Sequence, residues 1–209
     1  MTRGGPPVRV GVLASGRGSN LQAILDATRD PDFPARVVVV ISDREEARAL
    51  ERAAARGVPA VHLNSKDYAD RDRYDRAIVG VLAEHRVDLV CLAGFMRILG
   101  PGLVHAFAGR IMNIHPALLP AFPGLAAQRQ ALEYGVKITG ATVHFVDEGV
   151  DTGPIILQAG VPVRPEDTEE TLSERILVEE HSLYPRAIRL FAEGRLRIAG
   201  RRVLVEATP

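Results

Sequence analysis

The sequence has a single cysteine, no long apolar run and no excess of charge of either sign. With Cys91 as its only cysteine the chain forms no internal disulfide, which agrees with a reducing compartment. The 26 basic residues equal the 26 acidic ones, so no overall positive field attracts nucleic acid or an anionic membrane. No apolar run approaches the roughly 20 residues that span a bilayer, and residues 1–7 lack the pattern of a signal peptide. We therefore expect a cytoplasmic protein with neither a membrane nor a nucleic-acid partner.

Several common catalytic patterns are also missing from the sequence. It has no HExxH motif and no paired cysteines, so a metal site has no support. The G-x-S-x-G elbow is absent, which leaves a serine nucleophile without support. A glycine-rich segment at residues 15–20 lacks both the third glycine of a dinucleotide-binding loop and the Gly-Lys-Ser/Thr of a Walker A loop.

The pattern of apolar residues predicts an α/β protein. Buried strands are expected at residues 8–15, 36–42, 58–63, 87–92 and 110–114, with helices at 21–28, 45–56 and 70–85. This alternation is typical of a parallel sheet built from right-handed crossovers. The second half predicts strands at 137–146 and 153–163, a helix at 168–193 capped by Thr168 and bent or broken at Pro185, and a hairpin at 196–205. Without repeats or linkers, residues 1–209 are expected to form one domain.

The segment Ser-Gly-Arg-Gly-Ser-Asn at residues 15–20 is the first candidate binding site. Its glycines permit a tight turn and close backbone approach, and the helix that follows presents free N–H groups to a phosphate. The alternative is a plain tight turn without a ligand. Its position after the first strand of an α/β sheet, where ligands collect, favours anion binding.

Asn113 and His115 form the second candidate site. A strand delivers alternate side chains to one face, so both point the same way at the end of the strand predicted at 110–114. Prolines at positions 116, 120 and 123 stiffen the chain that follows. An amide beside an imidazole is a donor pair suited to a developing oxyanion. The alternative is a strand end with a structural histidine, but the Asn-x-His-Pro combination favours function.

Asp151 is the third candidate, in the turn between the strands predicted at 137–146 and 153–163. Its carboxylate could orient or charge an imidazole, or pass a proton through water. A turn aspartate that caps backbone amides is the more common structure, and this segment alone favours that explanation.

Taken together, four motifs give a more specific signal. They are Ala-Ser-Gly-x-Gly-Ser-Asn-Leu at 14–21, Leu-Ala-Gly-Phe-Met-Arg-Ile-Leu at 92–99, Asn-Ile-His-Pro-x-Leu-Leu-Pro at 113–120, and the segment 140–156. In this order, and over nearly the whole chain, they resemble the phosphoribosylglycinamide formyltransferases of purine biosynthesis. The resemblance implies a formyltransferase-type Rossmann-like fold, with a mostly parallel twisted sheet, helices on both faces and an antiparallel C-terminal part. It also implies a phosphate-binding half near residues 8–110 and a folate-binding, catalytic half near 111–205.

The resemblance further implies a reaction and a set of site residues. The co-substrate is 10-formyltetrahydrofolate, the acceptor is the amine of glycinamide ribonucleotide, and no metal is needed; a homodimer is left open. The amine attacks the formyl group directly, with oxyanion stabilisation by the catalytic residues Asn113, His115 and Asp151. The phosphate and ribose are expected at Gly18, Ser19, Asn20 and Glu180. The folate is expected at Arg71, Met96, Arg97, Ile98, Leu99, Asn113, Val146, Asp147 and Val150.

The sequence departs from the family pattern at three positions. Ala126 and Gln128 stand where many relatives carry two histidines, and Leu177 stands where some have a lysine or glutamine near the phosphate. We expect Arg17, inside the glycine-rich segment, to supply the missing charge.

Three other functions share parts of this pattern. A formyltetrahydrofolate hydrolase shares the fold and the catalytic residues, but usually carries an extra N-terminal domain that we do not expect ahead of a first strand at Val8. A methionyl-tRNA formyltransferase would need a C-terminal RNA-binding domain and a basic surface, which we do not expect in a chain of zero net charge. A non-catalytic folate- or nucleotide-binding module would have no need of all three catalytic positions.

Overall fold

The computed structural model describes residues 5–207; the first four residues of the expected polar tail, and residues 208–209, lie outside the described part. The strands are β1 (Val8–Leu13), β2 (Ala35–Ser42), β3 (Ala60–His62), β4 (Leu89–Leu92), β5 (Ile111–His115), β6 (Ile138–Phe145), β7 (Ile155–Pro162), β8 (Leu196–Ala199) and β9 (Arg202–Val205). The helices are α1 (Ser19–Ala27), α2 (Arg48–Ala54), α3 (Arg71–Glu84), α4 (Pro101–Ala106), α5 (Ala127–Tyr134) and α6 (Glu169–Ala192).

Within residues 5–207 all nine strands join one sheet, in the order β3-β2-β1-β4-β5-β6-β7-β9-β8. The pairs from β3 to β5 are parallel, because each strand is followed by a crossover that contains a helix. From β5 onward the pairs β5–β6, β6–β7 and β8–β9 are antiparallel, while β9 meets β7 in parallel orientation. The predicted fold, a mostly parallel sheet with an antiparallel C-terminal part, is confirmed.

Apolar residues on both faces of the sheet explain why helices cover it on each side. Along β1, Val10 and Val12 pack into one buried cluster with α1, α2 and α6, while Leu13 joins a second cluster with α3 and α4. Cys91 is fully buried in the first cluster, and burial raises the pKa of its thiol to about 12. Cys91 is therefore a core residue.

The long helix α6 differs from the prediction at its proline. Thr168 caps it as expected, with its hydroxyl accepting the Thr171 N–H. The helix nevertheless continues through Pro185, so the prediction of a break there is wrong, whereas the alternative of a bend stays a prediction. Tertiary packing outweighs the hydrogen bond that proline removes, because Tyr184 is fully buried and its hydroxyl contacts the carbonyls of Leu92 and Met112.

Two short helices, α4 and α5, have no counterpart among the predicted elements. The residue before α5 is Ala126, which has a left-handed φ of 54° and no capping side chain, so the sequence carries no start signal there. Helix α4 is only six residues long and contains both a proline and a glycine. In the described range no helix is long and apolar enough to cross a membrane.

Candidate active site

The carboxyl ends of β1, β4 and β5 bring the predicted motifs to one edge of the sheet. After β1, the Ser15 N–H donates to the Gly94 carbonyl at 3.0 Å, and the Ser15 hydroxyl accepts the Met96 N–H at 2.9 Å. The glycine-rich segment therefore lies directly beside the chain that follows β4. This edge is where open α/β sheets bind ligands.

Strand β5 presents Asn113 and His115 at this edge. Because β5 pairs with β6, Asn113 lies opposite His144 and His115 lies opposite Thr142. The imidazole of His115 is buried, whereas Asn113 is half-buried. Both side chains are held by the sheet itself, which restricts their positions more than a loop would.

Asp151 reaches the same place from the loop between β6 and β7. Its Oδ2 lies 3.2 Å from His115 Nδ1 and accepts the Gly124 N–H at 2.7 Å, and its Oδ1 accepts from Asn113 Nδ2 at 3.3 Å. Asp151 has a φ of 55°, a left-handed conformation that aspartate tolerates better than most residues. The structure thus brings together the three residues predicted to be catalytic.

Burial and charge set the protonation of this group. The pKa of His115 is lowered because burial disfavours its charged form more than Asp151 and the Phe122 carbonyl favour it. For Asp151, burial pushes the pKa upward, but the bonds from His144 and Gly124 and the nearby His115 outweigh it and lower the pKa. Asp151 is therefore ionised at neutral pH.

His144 is a neighbour of this group to which the sequence analysis assigned no role. Its Nδ1 lies 2.8 Å from the Phe145 carbonyl, which can only accept, so that nitrogen carries a proton. Its Nε2 lies 3.2 Å from Asn113 Nδ2 and 3.5 Å from Asp151 Oδ1, so the ring contacts two of the three predicted catalytic residues. Strand alternation places His144 on one face of β6, but its pairing with Asn113 could not be read from local patterns.

The loop at residues 121–124 contacts both titratable members of the group. Phe122, with a φ of 53°, directs its carbonyl to His115 Nε2 at 2.8 Å. Two residues later, the Gly124 N–H bonds to Asp151 as described. Both ring nitrogens of His115 therefore face acceptors, a pattern that only a protonated imidazole satisfies in full.

A cleft of about 600 Å³ opens onto these residues. Its walls are the segments that follow β4, β5 and β6, together with residues 124–128. Four exposed apolar side chains, Met96, Ile98, Leu125 and Val150, lie on these walls, as is usual in clefts that bind small molecules. Of the residues predicted to bind folate, those that line the cleft are Met96, Arg97, Ile98, Leu99, Asn113, Val146, Asp147 and Val150.

Arg71 lies outside this cleft. It lines a neighbouring cavity of about 570 Å³ that shares the wall at residues 95–98, and its guanidinium donates to the Leu99 carbonyl. Arg97, in contrast, lines both cavities. Its guanidinium lies 5.4 Å from the centre of the Tyr74 ring and 4.0 Å from the Asp43 carboxylate. Folate binding by these two arginines stays a prediction.

The predicted phosphate site is the amino end of α1. Gly18 has a φ of 68°, and a Cβ there would come within 2.9 Å of the Ala49 Cα, so a glycine is needed on both counts. No side chain within the described chain caps this helix, which leaves its first N–H groups available to an anion. Ser19, the first residue of α1, is half-buried, and Arg17, two residues earlier, is exposed.

Glu180, predicted to hold the sugar, lies next to this helix end. The Asn20 Nδ2 donates to Glu180 Oε2 at 2.7 Å, and burial raises the pKa of the Glu180 carboxyl. Leu177, which replaces a polar residue of some relatives, lies three residues earlier on α6 and is half-buried. Ala126 and Gln128 both line the cleft.

The family model described as "Formyl transferase" matches residues 8–188, most of the chain. The chain belongs to the formyl transferase family. This match confirms the resemblance drawn from the four motifs. It does not test the role of any single residue, so the site assignments stay predictions.

Individual members of the formyl transferase family are similar to this chain over most of its length. The phosphoribosylglycinamide formyltransferase of Mycobacterium tuberculosis is 53% identical over 93% of this chain and 90% of its own length. The solved glycinamide ribonucleotide transformylase 1 of Symbiobacterium toebii is 60% identical, with a TM-score of 0.95 over 96% of this chain and 95% of that one. The trifunctional purine biosynthetic protein adenosine-3 of Drosophila pseudoobscura pseudoobscura is 53% identical over 92% of this chain, which spans only 14% of that relative.

Proposed function

We propose that the chain transfers the formyl group of 10-formyltetrahydrofolate to the amine of glycinamide ribonucleotide. The observation that carries the proposal is the convergence of Asn113, His115 and Asp151 in one cleft, where the amide and the imidazole each lie within 3.3 Å of the same carboxylate. Family members at 53% and 60% identity that are named for this activity support it.

The two substrates would approach the group from different sides. The folate ring occupies the cleft between Met96, Ile98 and Val150, with the formyl group directed at Asn113. The ribonucleotide places its phosphate on the N–H groups of Gly18, Ser19 and Asn20, with Arg17 adding charge, and its ribose hydroxyls on Glu180. Because the glycine-rich segment and the cleft wall are joined through Ser15, both substrates meet at the same edge of the sheet.

The reaction is a direct attack. The amine nitrogen forms a bond to the formyl carbon, and the carbonyl oxygen becomes an oxyanion. Asn113 Nδ2 then donates to this oxygen. Its present bonds, 3.2 Å to His144 and 3.3 Å to Asp151, are long and are readily exchanged for a charged acceptor.

His115 supplies the second donor from its Nε2. In the absence of substrate this nitrogen bonds to the Phe122 carbonyl, so the arriving oxyanion has to share or replace that bond. Asp151 stabilises the charged imidazole through Nδ1 and keeps its orientation.

Collapse of the intermediate completes the transfer. The bond between the formyl carbon and N10 of the folate breaks, the attacking nitrogen loses a proton, and N10 gains one. Asp151, ionised and one-tenth exposed, relays that proton through water in the cleft.

The test is a spectrophotometric turnover assay. Purified protein is mixed with glycinamide ribonucleotide and a 10-formyl folate, and release of the deformylated folate is followed, with a parallel reaction that lacks the ribonucleotide. Turnover that depends on the ribonucleotide is the expected result. Equal release without the ribonucleotide would indicate a hydrolase, and binding without any release would indicate a non-catalytic module; either outcome refutes the proposal.

A further inference from the structure

A short buried segment connects the catalytic strand β5 to the loop that contacts His115 and Asp151. Ala117 and Leu119 belong to this segment and are buried, and neither is among the described residues that line the cleft. A few residues further along the chain lie the Phe122 carbonyl and the Gly124 N–H, the two backbone groups bonded to His115 and Asp151.

Thr142 on β6 binds this segment through its hydroxyl, whose hydrogen-bonding capacity is fully used. It is fully buried, and its Oγ1 donates to the Ala117 carbonyl at 2.6 Å while accepting the Leu119 N–H at 3.1 Å. The second lone pair accepts from Gln158 Nε2 at 3.0 Å. A hydroxyl has one proton and two lone pairs, so all three are used.

Gln158 on β7 completes the arrangement from the next strand. It is paired with Thr142 in the antiparallel register, and its side-chain amide has two protons. One goes to the Thr142 hydroxyl, and the other goes to the Leu119 carbonyl at 2.9 Å. Two side chains from neighbouring strands thus hold three backbone groups of a loop.

We propose that Thr142 and Gln158 form a clamp that positions His115 and Asp151 for catalysis by fixing residues 117–124. The contacts stand on geometry alone, while their effect on turnover rests on the proposed function. Neither residue lines the cleft, so both are positioning residues that act through the loop.

The chain offers a matched set of variants. Thr142→Val keeps the shape but removes the hydroxyl, and Thr142→Ser keeps the hydroxyl. Gln158→Met removes both amide donors at a position that is exposed and therefore tolerant of substitution. Thr139→Val is the control, because Thr139 is equally buried on β6 and its hydroxyl has no partner among residues 5–207.

Turnover is measured with the KM values of both substrates, and amide hydrogen exchange of the peptide that contains residues 117–124 is measured without substrate. Thr142→Val and Gln158→Met should each lower kcat by on the order of 10- to 100-fold, because small misplacement of catalytic groups is costly, with both KM values within about twofold. Exchange in residues 117–124 should quicken. Thr142→Ser and Thr139→Val should match the wild type in both measurements.

Wild-type exchange and kcat in Thr142→Val and Gln158→Met would overturn the clamp, as would losses no larger than those of Thr139→Val. If Thr142→Val does not fold, Gln158→Met alone decides between these outcomes. Absence of ribonucleotide-dependent turnover by the wild-type chain would refute the proposed function instead. The exchange measurement would then still show whether the clamp holds the segment.

Discussion

Replacing Asp151 by asparagine removes the negative charge of the site while keeping the shape of the side chain. The oxygen of the new amide can still accept the Gly124 N–H, which now bonds to Asp151 at 2.7 Å. The amide nitrogen would then take the place of Asp151 Oδ1, which lies 3.5 Å from His144 Nε2 and accepts only a long bond of 3.3 Å from Asn113. Because the Gly124 bond is kept, the loop at 121–124 should stay in place, so that lost activity reports mainly on the charge.

The size of the expected loss in kcat follows from the distance between the Asp151 carboxylate and the His115 imidazole. An imidazolium and a carboxylate 3.2 Å apart attract each other by about 5 kcal/mol at an effective dielectric constant of about 20. The asparagine dipole retains part of this. Because each ~1.36 kcal/mol is a factor of ten in rate, we expect kcat to fall by on the order of 10²–10⁴-fold.

The assay follows release of the deformylated folate at saturating ribonucleotide, with circular dichroism as the check on folding. Asp167→Asn is the control: it removes an aspartate that is ion-paired to Arg175 at 2.6 Å and lies outside the cleft. That control should keep its kcat. A kcat for Asp151→Asn within about threefold of the wild type would refute the charge argument.

Four further outcomes are expected. Asn113→Ala should lower kcat by about 10²–10³-fold, the usual loss of one oxyanion donor; near-normal kcat would exclude that role. Arg17→Ala should raise the KM for the ribonucleotide and spare the KM for folate, and an unchanged ribonucleotide KM would show that the charge comes from elsewhere. Gln128→His should change kcat by less than about threefold, and a larger gain would mean that proton handling limits the reaction. Asp167 has its pKa lowered by Arg175, so its stabilisation is present above pH 3.8 and lost below it; denaturant unfolding of wild type and Asp167→Asn should converge in acid.

Most strands and helices could be predicted from the spacing of apolar residues, because burial of one or both faces imposes that spacing on the sequence. The valine-rich run that became β2 is covered on both faces, and such runs are recognisable from sequence. Helix α5 was not predicted, because nothing in the sequence indicates the left-handed conformation of Ala126 that precedes it. At Pro185 the opposite holds. The local signal for a helix break is strong, but the packing of Tyr184 against the sheet keeps the helix continuous.

The candidate site was predictable where it depends on strand alternation and motifs. Asn113 and His115 share a face of β5, so their proximity follows from the strand itself. Their contact with Asp151 depends on the antiparallel pairing of β5 with β6, which local patterns do not specify. The contacts of the Phe122 carbonyl and the Gly124 N–H could not be predicted, because the sequence does not show which backbone groups reach the site.

Hydrogen bonding at Asp151 suggests why the missing histidines need not impair the site. Its Oδ2 is occupied by Gly124 and His115, while Oδ1 has only the long contact with Asn113 and lies 3.5 Å from His144. Oδ1 is therefore the less engaged of the two carboxylate oxygens, and we expect it to take up and release the proton. A histidine at position 128 would then add to a proton path that already has a base.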